Sequence, residues 1–201
     1  MQNNASRELL ENISFRNVTV SGDTRYDRVL SNAKKVEPHP ILERFKANQK
    51  VWVIGSSWSV DEELLFPLIN SGKIEERIII APHEVHESHI NSIERALTIP
   101  SIKLSTCNEQ TDFREIKVLI IDCIGLLANA YSYGDYAYVG GAFGKGLHNI
   151  LEPAVFGLPV IFGPNHSKFP EATLFINAGV GFSISDLNSF VEKRNYILNN
   201  L

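Results

Sequence analysis

The sequence predicts an α/β fold built on a doubly wound parallel sheet of about six strands. Two observations carry this. From residue 51 onward, short β-branched runs alternate with helical patterns. Several of those runs are near-continuously apolar instead of alternating, which marks strands covered on both faces.

The elements follow in order. Residues 1–13 suit a short helix, "NVTVSG" reads as a strand, and "GDTRYDRVLSNAKKV" is polar and mixed. "EPHP" has two prolines in three residues and cannot sit inside a helix. The strand runs are "VWVIG" (51–55), "RIIIA" (77–81), "SIKLS" (101–105), "KVLIID" (117–122), "YAYVGG" (136–141) and "LPVIFG" (158–163). Helical segments lie between them: "SVDEELLFPLINSG", "VHESHINSIERAL", "IGLLANAYSYG", "HNILEPAVFG" and "KFPEATLFINAG". "GFSISDLNSFVEKRNYILNN" closes the chain with a short strand candidate and a helix. Residues 41–201 thus form the sheet domain, and residues 1–40 precede it. No internal repeat or low-complexity tract is visible.

Composition narrows the function. The 201 residues are 44% hydrophobic and 21% charged, with net charge -4. No basic stripe suggests nucleic acid as a partner. No apolar run approaches the roughly 20 residues that span a bilayer, and the N-terminus lacks a signal-peptide pattern. Cys107 and Cys123 match no metal or redox spacing, as suits a reduced cytoplasmic setting. Without a secretion signal, the Asn12 and Asn17 glycosylation patterns are read as chance.

Ligands of such sheets bind beyond the carboxyl ends of the strands. Four loops are therefore of interest. In "GSSWSVDEE", Ser56 and Ser57 can donate hydrogen bonds beside a helix N-terminus, although a serine cap followed by acidic residues is equally routine. In "APHEVHESH", the spacing of His83, His86 and His89 fits no zinc motif, and His83 at the strand end is the one placed to meet a ligand. In "IIDCIGLL", Ile124, Gly125 and Leu126 start a helix whose free N–H groups suit a phosphate. The alternative there is an Asp122 cap with Gly125 relieving a crowded turn.

The fourth loop, "GGAFGKGLHNILEPA", puts Gly140, Gly141, Gly144 and Gly146 within seven positions. Such freedom suits a ligand that touches backbone. Asn149 and Glu152 fit a capping box, and a carboxylate there can also take a ribose. These glycines follow the fifth strand, not the first, so a dinucleotide cofactor is not expected. Phosphate at one loop and ribose at the next point to a nucleotide-linked ligand.

The stretch "YVGGAFGKGLHNILEPAVFGLPVIFGPNHSKFPEA" resembles the 3-deoxy-D-manno-octulosonic acid (Kdo) transferases of lipopolysaccharide synthesis. "KVWVIGSS", "IIIAPHE" and "IIDCIGLL" occur in that family's order, and "NVTVSGDTRYDRV" resembles its passage between domains. The resemblance implies a GT-B glycosyltransferase with two Rossmann-like domains, of which this chain is the C-terminal, donor-binding half. It implies transfer of Kdo from CMP-Kdo to a lipid A precursor, without metal or other cofactor, at the cytoplasmic face of the inner membrane. The acceptor, the membrane surface and the catalytic base would belong to an N-terminal domain absent from this chain, so the chain alone would be inactive.

Carried over by position, the resemblance assigns the nucleotide to Pro82, His83, Ile124, Gly125, Leu126 and the segment Asn149, Ile150, Leu151, Glu152. Glu152 is expected on the ribose. Ser56 and Ser57 would lie near the sugar, with Gly141 in the adjoining loop. Two departures stand out: His83 replaces an arginine, and Leu126 replaces a common glutamate, leaving only backbone contacts there. The alternatives are a GT-B transferase or epimerase using a UDP-sugar, and a non-catalytic nucleotide-binding module.

Overall fold

The computed structural model describes residues 1–2, 4–144 and 146–201, in two compact units, Met1–Lys35 and Val36–Leu201. The boundary falls just before the prolines of "EPHP", five residues ahead of the expected division.

The first unit contains helices α1 (Asn4–Asn12) and α2 (Thr24–Ala33). The expected strand at "NVTVSG" does not form. Among the described residues, its backbone bonds with the first residue: the Met1 ammonium donates to the Thr19 carbonyl, and the Ser21 N–H donates to the Met1 carbonyl. β-Branched residues without a partner strand do not make a sheet. The segment read as merely polar is α2, started by Asp23, whose carboxylate accepts the Arg25 N–H at 3.0 Å.

The second unit is a seven-stranded, all-parallel sheet. Its strands are β1 (Val51–Ser57), β2 (Arg77–Pro82), β3 (Ser101–Lys103), β4 (Val118–Ile120), β5 (Tyr136–Val139), β6 (Val160–Phe162) and β7 (Gly181–Ser183). The seventh is the short candidate before the last helix, so the sheet exceeds the expected six. The helices are α3 (Pro40–Lys46), α4 (Ser59–Asn70), α5 (Glu87–Ala96), α6 (Leu127–Ser132), α7 (Leu151–Ala154), α8 (Pro170–Asn177) and α9 (Leu187–Leu198). Pro40 opens α3, where its missing N–H costs nothing.

Both faces of the sheet are covered, which explains the continuous apolar runs. Along β1, Val51 and Val53 join a core with Leu42, Phe45, Tyr131 and Ile150. Trp52 and Ile54 point the other way, into a core with Leu65, Ile69, Ile90 and Phe190. The strand order is β3-β4-β2-β1-β5-β6-β7. The chain builds outward from β1 on one side, then returns past β2 and β1 to place β5 on the other. The topological switch point therefore lies between β1 and β5, where the loops after these two strands part.

Candidate functional site

The strand order places a crevice at the switch point, between the β1 loop and the glycine loop. The two approach closely. Gly140 N–H donates to the Gly55 carbonyl at 2.9 Å, and a Cβ on Gly140 would lie 2.4 Å from the Ser56 carbonyl oxygen. Gly141 has φ +93, and a Cβ there would meet the Gly146 carbonyl oxygen at 2.4 Å. The first glycines of this loop are therefore required by the protein's own backbone, not by a ligand's approach. Lys145, within the same loop, lies outside the described residues.

β1 ends in a bulge, with its register against β2 shifting between Gly55 and Ser57. Ser56 sits in that bulge at φ +52, a left-handed conformation that serine seldom adopts. Beyond it the Ser57 side chain turns inward, fully buried, and its hydroxyl donates to Glu62 at 2.9 Å. The Ser57 hydroxyl is thus committed to the interior. The Ser57 carbonyl accepts the His83 N–H at 2.9 Å, which fixes the β2 loop just past Pro82, itself buried in the sheet.

Two acids that the sequence reading took as ordinary first-turn residues organise this corner. Asp61 is fully buried. Its Oδ2 accepts the Trp58 and Gly141 N–H groups, each at 2.9 Å, and its Oδ1 accepts the Tyr138 hydroxyl at 2.6 Å. One carboxylate thereby ties the β1 loop, β5 and the glycine loop together. Three donors offset its loss of water. Burial and this carboxylate both push the Tyr138 hydroxyl far above its ordinary value.

Glu62 takes the Ser57 hydroxyl and contacts His89 Nε2 at 3.1 Å. Burial pushes Glu62 up, outweighing His89 and Ser57, which pull it down. The signal for both acids was in the sequence: positions 61 and 62 share a helical face with Leu65, Phe66 and Ile69, all buried.

Three rings stand at the mouth of the crevice. Trp58 stacks on His83 with centroids 4.4 Å apart, and His83 stacks on His148 at 4.4 Å. Trp58 Nε1–H donates to His148 Nε2 at 2.7 Å. Burial lowers the His148 proton affinity, His83 lowers it further, and Asp61 opposes both. Trp58 and His148 carried no assignment from sequence, and only their stacking on His83 marks them. The other two histidines of "APHEVHESH" go elsewhere: His86 caps α5, and His89 faces Glu62. Among the described residues, no group of three or more His, Cys, Asp or Glu side chains could hold a metal ion.

The two turns expected to hold a nucleotide differ in detail from the sequence reading. Residues 124–126 precede α6, which starts at Leu127. Ile124 is 88% exposed, and Gly125, at φ +96, has open space where a side chain would stand. Asp122 does not cap α6. It accepts the Ser105 N–H at 3.0 Å and also its hydroxyl, pinning the turn after β3.

Asn149 does not form a capping box either. α7 has only four residues and begins one position late for that register. Asn149 Oδ1 accepts the Leu151 N–H at 3.1 Å, an Asx turn, and its Nδ2 donates to Glu152 Oε1 at 3.0 Å. Ile150 and Leu151 are buried, and the Leu151 N–H is already held by Asn149.

β2 and β1 stand between the strands that lead to these two turns, yet α6 bridges the gap. It crosses β2 and β1 and packs against α7. Leu127 and Tyr131 lie against Gly55, and Glu152 acts electrostatically on the Tyr131 hydroxyl, which burial has already raised. The helix that follows the 124–126 turn therefore packs against both Gly55 and the helix of the 149–152 turn.

No protein-family model matches the chain. Over 160 residues it is 28% identical to the 3-deoxy-D-manno-octulosonic acid transferase of Chlamydia pneumoniae, covering 78% of this chain and 36% of that one. Over 164 residues it is 31% identical to the same-named protein of Rickettsia typhi, covering 79% and 32%. The chain thus matches about a third of the length of these curated relatives.

In fold, it resembles the C-terminal CMP-Kdo binding domain of WaaA from Acinetobacter baumannii, with TM-score 0.66 and 23% identity over 86% of this chain and 90% of that one. A UDP-N-acetylglucosamine 2-epimerase, described as putative, from Listeria monocytogenes shares the fold at TM-score 0.64 and 14% identity, covering 98% and 49%. By sequence and fold together, the chain is a relative of the 3-deoxy-D-manno-octulosonic acid transferases, matching about a third of their length.

Proposed function

We propose that this chain is the donor-binding part of a glycosyltransferase, and that it holds CMP-Kdo in the β1–β5 crevice for transfer to a lipid A precursor. One coincidence carries the reading. The segment whose sequence most resembles the Kdo transferases, residues 138–172, includes the glycine loop beside the switch point. The donor's phosphate would meet the exposed N–H groups of residues 124–126 and the His83 side chain. Glu152, oriented by Asn149, would take the ribose hydroxyls. Ser56 and the Gly141 loop would border the sugar, while Ser57 acts from inside by holding the bulge.

In the reaction, an acceptor hydroxyl oxygen forms a bond to the anomeric carbon of Kdo as the bond from that carbon to the phosphate oxygen breaks. CMP leaves, and the hydroxyl proton passes to a base supplied from outside this chain. The crevice contributes backbone dipoles that meet the leaving phosphate. The proposal needs no metal and no nucleic acid. It sets the acceptor and the cytoplasmic membrane surface on the rest of the transferase. Among the described residues, no helix is long and apolar enough to cross a membrane.

Competition binding tests this. CMP is expected to bind the chain and to be displaced poorly by UMP or UDP, with affinity unchanged by a chelator. Glu152→Gln should weaken CMP by about 10- to 100-fold, the loss of charge-assisted hydrogen bonds worth roughly 1.5–3 kcal/mol. Preference for the uridine nucleotides, or CMP affinity indifferent to Glu152→Gln, would overturn the reading.

A further inference from the structure

The stacked rings at the crevice mouth have a protonation state written into their geometry. An indole N–H can only donate, so His148 Nε2 must present a lone pair to Trp58. The imidazole is therefore neutral, with its proton on Nδ1. Protonating Nε2 would set two N–H donors head to head and would place a cation against the second imidazole, His83, 4.4 Å away between centroids. Among the described residues, the groups acting on His148 are His83 from the β2 loop, which opposes a positive charge, and Asp61 from α4, which favours one. Burial adds to the opposition and comes first in size. The Trp58–His148 bond joins segments 90 residues apart and spans the two walls of the crevice.

We propose that His148 is a positioning residue whose neutral imidazole latches the glycine loop to the β1 loop through Trp58, and that protonation releases the latch. The His148 end of the glycine loop is then held to Trp58 at neutral and alkaline pH and released as His148 takes up its proton, while Asp61 and the Gly140–Gly55 bond keep the base of the two loops together. The consequence for nucleotide binding rests on the donor-site reading above. The latch itself is measured without any ligand, so a failed latch and a failed donor site are separate results.

The test is nitrogen-15 NMR of the full chain from about pH 8 to about pH 5, across the histidine range. His148 is expected to titrate from the Nδ1–H tautomer with a midpoint below 6.5, the ordinary histidine value. The Trp58 indole N–H should shift with that same midpoint, while the indole of Trp52, fully buried in the core, should not. His148→Gln keeps an acceptor without a titrating group, and should leave the Trp58 indole hydrogen-bonded and pH-independent. In Trp58→Phe, which removes the donor that favours neutral His148, the His148 midpoint should rise. A Trp58 indole indifferent to the His148 titration, a response that persists in His148→Gln, or a His148 midpoint unmoved in Trp58→Phe would each overturn the latch.

Discussion

Tyr138 donates its hydroxyl to Asp61 across 2.6 Å inside the protein, directly beneath the loops that form the crevice. Tyr138 belongs to β5 and Asp61 to the first turn of α4, so the bond joins β5 to the helix that follows β1 at the switch point. The same carboxylate also accepts two backbone N–H groups, one from each wall. Crevice geometry and domain stability are therefore coupled through one side chain.

Removing that carboxylate strands three donors at once, two of them buried. Asp61→Ala is expected to destabilise the domain by about 3–5 kcal/mol, the scale of breaking a buried charged network. Tyr138→Phe removes one donor and leaves the other two bonds, so a loss of about 1–2 kcal/mol is expected. Urea unfolding of the two variants measures both. Equal losses would mean that the backbone N–H groups find other acceptors.

Glu62 sets a pH dependence of the opposite sense to most carboxylates. Its folded value is raised by burial, against the pull of His89 and Ser57. The folded state thus holds its proton more tightly than the unfolded chain does. The associated stability is fully present below the unfolded value of about 4.5 and is lost as pH rises through the raised folded value. Glu62→Gln should flatten that part of the stability–pH curve. Chemical denaturation at a series of pH values, wild type against variant, checks the slope.

Much of this fold was legible, and its failures have physical causes. The runs at 51–55, 77–81 and 136–139 announced parallel strands because burial on both faces admits few polar residues there. "NVTVSG" carried the same propensity but had no neighbouring strand to pair with, and propensity alone does not build a sheet. Helix α2 was hidden because its polar face outweighs its apolar one, and only the Asp23 cap betrays it. At the switch point, several side chains make contacts that the sequence did not announce. Glycines expected to admit a ligand admit backbone, and Ser57 turns inward. Asp61 and Glu62 read as routine acids of a helix's first turn, and that local rule masked their place on the buried stripe.

Glu76 at the opposite, amino end of the sheet has the ordinary sign. Burial alone would raise its value, but hydrogen bonds and charge from Arg194, with the Tyr136 hydroxyl, bring it below normal. The stability it supplies is present above the unfolded value of 4.5 and is lost as pH falls through the lowered folded value. Arg194→Met should therefore destabilise the domain at neutral pH, by about 3–5 kcal/mol if Glu76 stays charged. Acid-side thermal melts should show the variant and the wild type converging as Glu76 protonates.

The glycine loop offers a contrast between neighbours that separates packing from flexibility. A Cβ on Gly140 would come within 2.4 Å of the Ser56 carbonyl oxygen, 2.7 Å of the Ser57 Cα and 2.8 Å of Asp61 Oδ2. Two of these are backbone atoms, and the third belongs to a carboxylate held by three donors, so none can yield cheaply. Gly140→Ala should force the crevice walls apart and cost about 3 kcal/mol or more, beyond the usual range for overpacking because no soft neighbour absorbs the strain. At Gly144 the nearest atom to an added Cβ is the Gly141 carbonyl oxygen, 3.8 Å away. Gly144→Ala should lie within about 0.5 kcal/mol of wild type, as surface substitutions do. Paired denaturation curves of the two alanine variants test whether close backbone contact or loop flexibility governs the motif, and similar losses at both positions would favour flexibility.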